Sequence, residues 1–225
     1  MKITYLGQAG WLFETEQVCA MIDPYFSDSV RKLHDTSYRR VPMDERFLHI
    51  TPDVLICTHN HLDHYDPETV EPMLRTEKKI TVLGPTSVWQ EARKLGGPHN
   101  YVCFDRHTRW TQGDVTFIAV KAEHSDPYAI GVLIVDSSDV YYVTGDTLYN
   151  TDVLADLPEG IKVVFLPING AGNNMNAVDA AAFAAATGAE YSVPCHVGML
   201  DDLTAEAYVA PNRVLPTIWQ PLELK

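Results

Sequence analysis

The first third of the chain alternates short apolar runs with turn residues. Ile3–Leu6, Trp11–Glu14 and Val18–Ile22 read as successive strands, separated by Gly7, Gly10 and polar positions, and Asp23-Pro24 ends the third. From Phe26 to Glu45 no period is sustained, which predicts a long loop or short helices. Val54–Thr58 is apolar enough for a buried strand. Asp66-Pro67-Glu68 then has the form of a helix start, with Asp66 as N-cap, Pro67 at the first turn and Val70, Met73 and Leu74 as its apolar face.

Further on, Ile80–Leu83 predicts a strand and Ser87–Leu95 a helix stopped by Gly96-Gly97. Val115–Val120, Ile130–Val135 and Val140–Thr144 predict strands, with Ser137-Ser138-Asp139 turning between the last two. Lys162–Ile168 predicts another strand. Asn176 caps a helix running through Ala186, with Asp179 in a capping-box-like position and Gly188 as its stop. Glu190–Pro194 forms a final strand leading into His196. A meander of strands followed by mixed strand and helix units predicts an α/β protein with two sheets.

The chain of 225 residues fits one domain, 1–225, and can bury a core without staples. No apolar run reaches the length of a membrane span, and the N-terminus reads as a strand rather than a signal peptide, so a cytoplasmic protein without a membrane partner is expected. Cys19, Cys57, Cys103 and Cys195 are widely spaced and form no CxxC pair, consistent with reduced thiols. Cys195 adjoins His196, but neighbours on a strand point to opposite faces, so it reads as core. The formal net charge of −13 repels nucleic-acid backbone, and no nucleic-acid partner is expected. The densest basic cluster, Arg31-Lys32 with Arg39-Arg40, lies in the unpatterned stretch. Arg39 and Arg40 are candidate contacts for a small anion, weighed against a solvated loop.

The chemistry concentrates in His59-Asn60-His61-Leu62-Asp63-His64, directly after a predicted buried strand. Two histidines two residues apart can turn their rings toward one point, and Asp63 with His64 can serve a second. Imidazole and carboxylate are ordinary ligands of zinc and similar ions. Six residues cannot close two metal positions, so further ligands are needed. His124, Asp146 and His196 each follow a predicted strand end and are the candidates. Asn169-Gly170-Ala171-Gly172-Asn173-Asn174-Met175-Asn176 could present backbone amides to an anion ahead of a helix. Asn173 and Asn174 are therefore candidate substrate contacts, the alternative being a plain loop. His34, His49, His99 and His107 read as surface or structural histidines.

The HxHxDH pattern, followed in order by His124, Asp146 and His196, resembles the metallo-β-lactamase fold superfamily. Leu6-Gly7-Gln8-Ala9-Gly10, Ile22-Asp23-Pro24-Tyr25, His124-Ser125-Asp126-Pro127 and Thr144-Gly145-Asp146-Thr147 look most like the branch containing L-ascorbate-6-phosphate lactonase, although this chain is much shorter. The resemblance implies a four-layer αββα sandwich and two divalent metal ions, Zn²⁺ or Mn²⁺, with Fe also compatible. It implies His59, His61 and His124 on one ion, Asp63, His64 and His196 on the other, and Asp146 bridging. A water shared by two cations ionises near neutral pH. The implied activity is therefore hydroxide attack on a small anionic ester, lactone or phosphoester, with Asp63 orienting the nucleophile or carrying its proton. Ser125 has no part in this scheme.

The alternative on the same site is a nuclease or cyclic-nucleotide phosphodiesterase, which the missing basic stretch disfavours. A di-iron redox protein is disfavoured by His61, and a non-catalytic module by the full ligand set. A homo-oligomer is left open.

Overall fold

A computed structural model describes residues 1–35, 42–137, 139–197 and 203–224. The strands form two six-stranded sheets, each built from one half of the chain. In the first, β1 (Lys2–Gly7), β2 (Gly10–Glu14) and β3 (Cys19–Ile22) form an antiparallel meander. β4 (Val54–Ile56), β5 (Thr81–Gly84) and β6 (Asn100–Cys103) extend it in parallel. In the second, β7 (Arg109–Gln112), β8 (Val115–Lys121), β9 (Ile130–Asp136) and β10 (Asp139–Val143) are antiparallel. β11 (Ile161–Pro167) and β12 (Tyr191–Cys195) add in parallel.

Successive strand residues point to opposite faces, and both faces are apolar here. On β2, Trp11 and Phe13 pack between the sheets while Leu12 faces outward. On β4, Val54 and Ile56 face inward and Leu55 outward. On β11, Val163 and Phe165 face inward, Val164 and Leu166 outward. The outer face of the first sheet is covered by α3 (Pro67–Met73) and α4 (Thr86–Ala92), through Val70, Val88 and Ala92. That of the second is covered by α5 (Thr151–Leu154) and α6 (Ala177–Thr187), through Val153, Ala180 and Phe183. The result is a four-layer αββα sandwich. Trp11 and Phe165, with ring centroids 4.5 Å apart, join the sheets at its centre.

The capping signals act as the sequence predicts. Asp66 accepts from the Glu68 amide with Pro67 in the first turn. Asn176 accepts from the Val178 and Asp179 amides, and left-handed Gly188 ends α6. The unpatterned stretch contains α1 (Ser29–His34) and α2 (Glu45–Leu48), while Arg39 and Arg40 lie outside the described residues. Strands β6 and β7 carry no clear apolar period. Their half-exposed or mixed burial at the sheet edges explains why the pattern does not announce them. Among the described residues no helix is long and apolar enough to cross a membrane. The four cysteines are free thiols, and Cys195 packs in the core between the sheets.

Asp156, just past α5, ties that end of the molecule to β8. Its carboxylate accepts from Arg106 Nε and Nη2, His107 Nε2 and the Lys121 amide, each at 2.8 Å. Arg106 first, then His107 and the Lys121 amide, outweigh burial and hold this carboxyl well below the usual range. Its folded pKa lies below the unfolded value of about 4, so its stabilisation is present above that pH and fades as pH falls toward the folded value. Asp156→Asn is expected to cost about 1–2 kcal/mol at neutral pH, Arg106 being half exposed. The deficit should shrink below about pH 4, as urea denaturation of both proteins across pH will show.

Candidate metal centre

The loops after β1, β3, β4, β8, β10, β11 and β12 all leave one rim of the sandwich, because these strands run in the same direction within their sheets. Two backbone hydrogen bonds stitch the sheets together there: Ile130 N–H to Thr58 O at 3.0 Å and His196 N–H to Gln8 O at 2.8 Å. The approach is close. A Cβ on Gly145 would meet Ile130 O at 2.7 Å, and its φ of +60° is one that other residues rarely adopt. Glycine at this point lets Asp146 come up beside the Thr58–His64 segment.

The seven residues singled out in the sequence meet in this rim. Their candidate ligand atoms form three overlapping sets, each within 4.8 Å: His59, His61, His124; His59, His64, Asp146; and Asp63, His64, His196. The middle set shares His59 with the first and His64 with the third. His61 Nδ1 lies 3.1 Å from His124 Nε2. Asp146 Oδ1 lies 3.3 Å from His64 Nε2, and Asp146 Oδ2 lies 3.4 Å from His196 Nε2. His196 Nε2 is 3.1 Å from Asp63 Oδ2. Tetrahedral ligands about 2.0–2.1 Å from an ion sit about 3.3–3.4 Å apart, so these spacings suit cations between the side chains.

A second observation fits metal ligation. His59 Nε2, His64 Nε2 and Asp146 Oδ1 are buried without a well-aligned hydrogen bond, the last two facing each other at 3.3 Å. Buried polar atoms are rarely left unpaired, and three in one cluster of lone-pair donors call for a cation. Their other atoms are held. His64 Nδ1 donates to Asp23 Oδ2 at 2.8 Å, and Asp23 also accepts from the Thr58 amide at 2.7 Å and hydroxyl at 2.6 Å. His59 Nδ1 donates to Thr58 Oγ1 at 3.1 Å. These bonds place the proton on Nδ1 and leave Nε2 as the ligand atom. Asp126, itself buried, accepts from the Asn60 amide at 3.1 Å and Ser87 Oγ at 2.6 Å, fixing the histidine-rich turn from the opposite side.

The electrostatics are those of an imidazole and carboxylate cluster. Burial opposes charging His64, but Asp146, Asp63 and Asp23 outweigh it and raise its pKa well above the usual value. Burial likewise opposes His196, yet chiefly Asp146, with Asp63, raises it to about 9. Asp63 and Asp146 are held low: His64 and His196 overcome the burial cost. Burial, reinforced by neighbouring His64, drives His59 the other way, toward neutrality.

Two residues of this network carry no role in the sequence reading. Asp23 is fully buried at the end of β3, and its signal was an aspartate placed directly after an apolar strand. Gln8 lies in the loop after β1, with Nε2 donating to Asp63 Oδ2 at 3.0 Å and lying 3.3 Å from His196 Nε2. Nothing local in Gly7-Gln8-Ala9-Gly10 reveals it, since its partners are distant in sequence. Asn173 and Asn174 line a cleft of about 480 Å³ beside the cluster, together with Val30, Leu62, Ser125, Asn169, Ala171 and Gly172. Ser125 Oγ is 3.4 Å from His61 Nε2. Of the remaining histidines, His99 bridges the Ile80 amide and Leu74 O, His107 pairs with Asp156, and His49 is exposed.

Fold and ligand cluster together define a metallo-β-lactamase-like protein. The family model described as "Beta-lactamase superfamily domain" matches residues 20–197, and the chain belongs to that family. It is similar to a UPF0173 metal-dependent hydrolase of Paracoccus denitrificans, 27% identical over 250 residues, with 100% of both chains covered. Igni18, a metallo hydrolase from Ignicoccus hospitalis, superposes with a TM-score of 0.74 at 19% identity, covering 99% of this chain and 96% of that one. The metallo-β-lactamase fold protein YhfI of Bacillus subtilis gives 0.73 at 21% identity, covering 99% of each.

Asp23→Ala removes the acceptor of three buried donors at once. It is expected to cost about 2–4 kcal/mol in chelator-treated protein. Chemical denaturation measures this, and an unchanged midpoint would show that the carboxylate does not hold the turn.

Proposed function

We propose that the chain is a metal-dependent hydrolase that holds two divalent cations and cleaves a small anionic ester, lactone or phosphoester. The observation that carries this reading is the buried cluster of seven ligand residues with His59 Nε2, His64 Nε2 and Asp146 Oδ1 unpaired. His59, His61 and His124 would hold one ion, and Asp63, His64 and His196 the other, with Asp146 between them. Histidine and aspartate ligands suit Zn²⁺, Mn²⁺ or Fe. Such ions, when bound, supply Lewis acidity toward a carbonyl or phosphoryl oxygen and bring the pKa of water toward about 7.

The chain's own groups do the rest. Thr58 and Asp23 keep the imidazole protons of His59 and His64 on Nδ1. Gln8 holds one oxygen of Asp63, whose carboxylate faces the cleft and can accept a proton from an attacking water. The cleft wall from Asn169 to Asn174 brings asparagine side chains and backbone beside apolar Val30, Leu62 and Ala171, which suits a small substrate with both polar and apolar parts. The lactone and phosphoester members of the class rest on the motif likeness to the ascorbate-6-phosphate lactonase branch. The net charge of −13 opposes binding of a polyanionic nucleic acid, leaving a small molecule as the partner.

The purified protein should contain close to two metal ions per chain. It should turn over at least one member of a panel of lactones, thioesters and phosphodiesters, lose that turnover on chelation, and regain it with Zn²⁺ or Mn²⁺. Alanine at His59, His64 or Asp146 should abolish turnover while circular dichroism stays native-like. Full activity after exhaustive chelation, or in any of the three variants, would overturn the assignment.

A further inference from the structure

The loop joining β11 to α6 passes directly beside the ligand cluster, and two adjacent residues of it each grip a different ligand. Asn173 O accepts from His124 Nδ1 at 3.2 Å. Asn174 Nδ2 donates to Asp146 Oδ2 at 2.7 Å, and both side chains are buried. The loop is itself anchored: Gly170 N–H donates to Met175 O at 3.0 Å, and Met175 N–H to Thr147 O at 3.1 Å, one residue past Asp146. Asn173 has a left-handed backbone, φ +64°, which asparagine tolerates far better than β-branched residues.

We propose that Asn173 and Asn174 are positioning residues for the two-ion centre, not substrate contacts. The Asn173 carbonyl fixes the ring of His124, and the Asn174 amide fixes the carboxylate of Asp146. This rests on the metal-centre reading above. The chemistry of each bond matches the task. A carbonyl accepting from Nδ1 leaves His124 Nε2 with its lone pair toward His61 and the shared ion position. An amide is a neutral donor, so Asn174 restrains one carboxylate oxygen without adding charge to the cluster. It leaves Oδ1, the unpaired atom, free to serve a cation. His124 belongs to the first ligand set and Asp146 to the middle one, so a single short segment sets the register between the two ion positions. Asn174 lines the cleft and its Oδ1 has no partner, but its donor Nδ2 is committed to Asp146, which is what this role requires.

The test is affinity for Zn²⁺, and in parallel Mn²⁺, measured on metal-free protein by competition with a chromogenic chelator, with His59→Ala as the ligand-loss control. Asn174→Leu keeps the branched four-atom outline, with somewhat greater bulk, but removes the donor, and should weaken at least one binding step about 10- to 100-fold. Asn174→Thr, which retains a hydroxyl donor, should fall between it and wild type. Asn173→Gly, which adopts the left-handed backbone freely, should bind as wild type. Asn173→Val, which does not, should bind more weakly. Wild-type affinity in both Asn174→Leu and Asn173→Val overturns the proposal, and a raised KM with that affinity intact would make these residues substrate contacts instead. Should Asn174→Leu not fold, wild-type affinity in Asn173→Val, or equal losses in Asn173→Gly and Asn173→Val, overturns the backbone role. Failure of wild type itself to take up either ion overturns the two-ion reading as well.

Discussion

Unpaired lone pairs inside a protein are costly, roughly 1–3 kcal/mol each, and among the described residues three ligand atoms at one rim, His59 Nε2, His64 Nε2 and Asp146 Oδ1, lack an aligned partner. Much of the surrounding structure exists to keep them pointing inward. His59 and His64 would otherwise satisfy themselves by turning their rings, and Thr58 and Asp23 remove that freedom by engaging Nδ1. Asp126 fixes the turn's backbone, Gly145 allows Asp146 to approach, and the Asn173–Asn174 pair secures the far side. The strain is visible in the backbone: Gln8, Asp23, Asn173 and His196 all sit at positive φ, between +45° and +64°. Such conformations persist only where surrounding contacts over-determine them. Here each of the four makes hydrogen bonds within the same network.

The rim is also where the two halves of the chain meet. His59, His61, Asp63 and His64 come from the first sheet, and His124, Asp146 and His196 from the second. The contacts between His64 and Asp146 and between Asp63 and His196 therefore cross the seam. Asp146 and Asp63 oppose the cost of burial and hold His64 and His196 above their ordinary pKa from both sides of that seam. The apolar layer centred on Trp11 and Phe165 sets the distance between the sheets, and the rim contacts set their alignment.

The sequence made the centre of this picture legible for a physical reason. Ligands that follow strand ends are compact signals: an apolar run, then histidine or aspartate. His59 to His64, His124, Asp146 and His196 all have that form. So does the layered fold, because strands covered on both faces must be apolar throughout, as Val54-Leu55-Ile56 and Val163 to Leu166 are. The edge strands β6 and β7 escape this logic because one side of each lacks a neighbour, so their residues need not be apolar. Gln8 escapes it differently, and Asp23, though it has the strand-end form, shows only its place and not its task. Their chemistry lies in partners 55 and 41 residues away, Asp63 and His64, and no local pattern encodes a pairing at that distance.

Asn174 shows how the same limit leaves the tasks within one segment undivided. A run of glycine and asparagine before a helix suggests a loop offering amides to a ligand, and on sequence alone Asn173 and Asn174 belong to that surface. The fold adds further tasks to that segment. Asn169 and Ala171 to Asn174 line the cleft, while Asn174 also turns its amide onto Asp146 and Asn176 turns its carbonyl oxygen onto the first turn of α6. Asparagine recurs because one side chain can cap a helix, tolerate a left-handed backbone or restrain a carboxylate without charge. Composition shows that such residues are needed here. Only the meeting of the loop with the segment after β10 decides which task each performs.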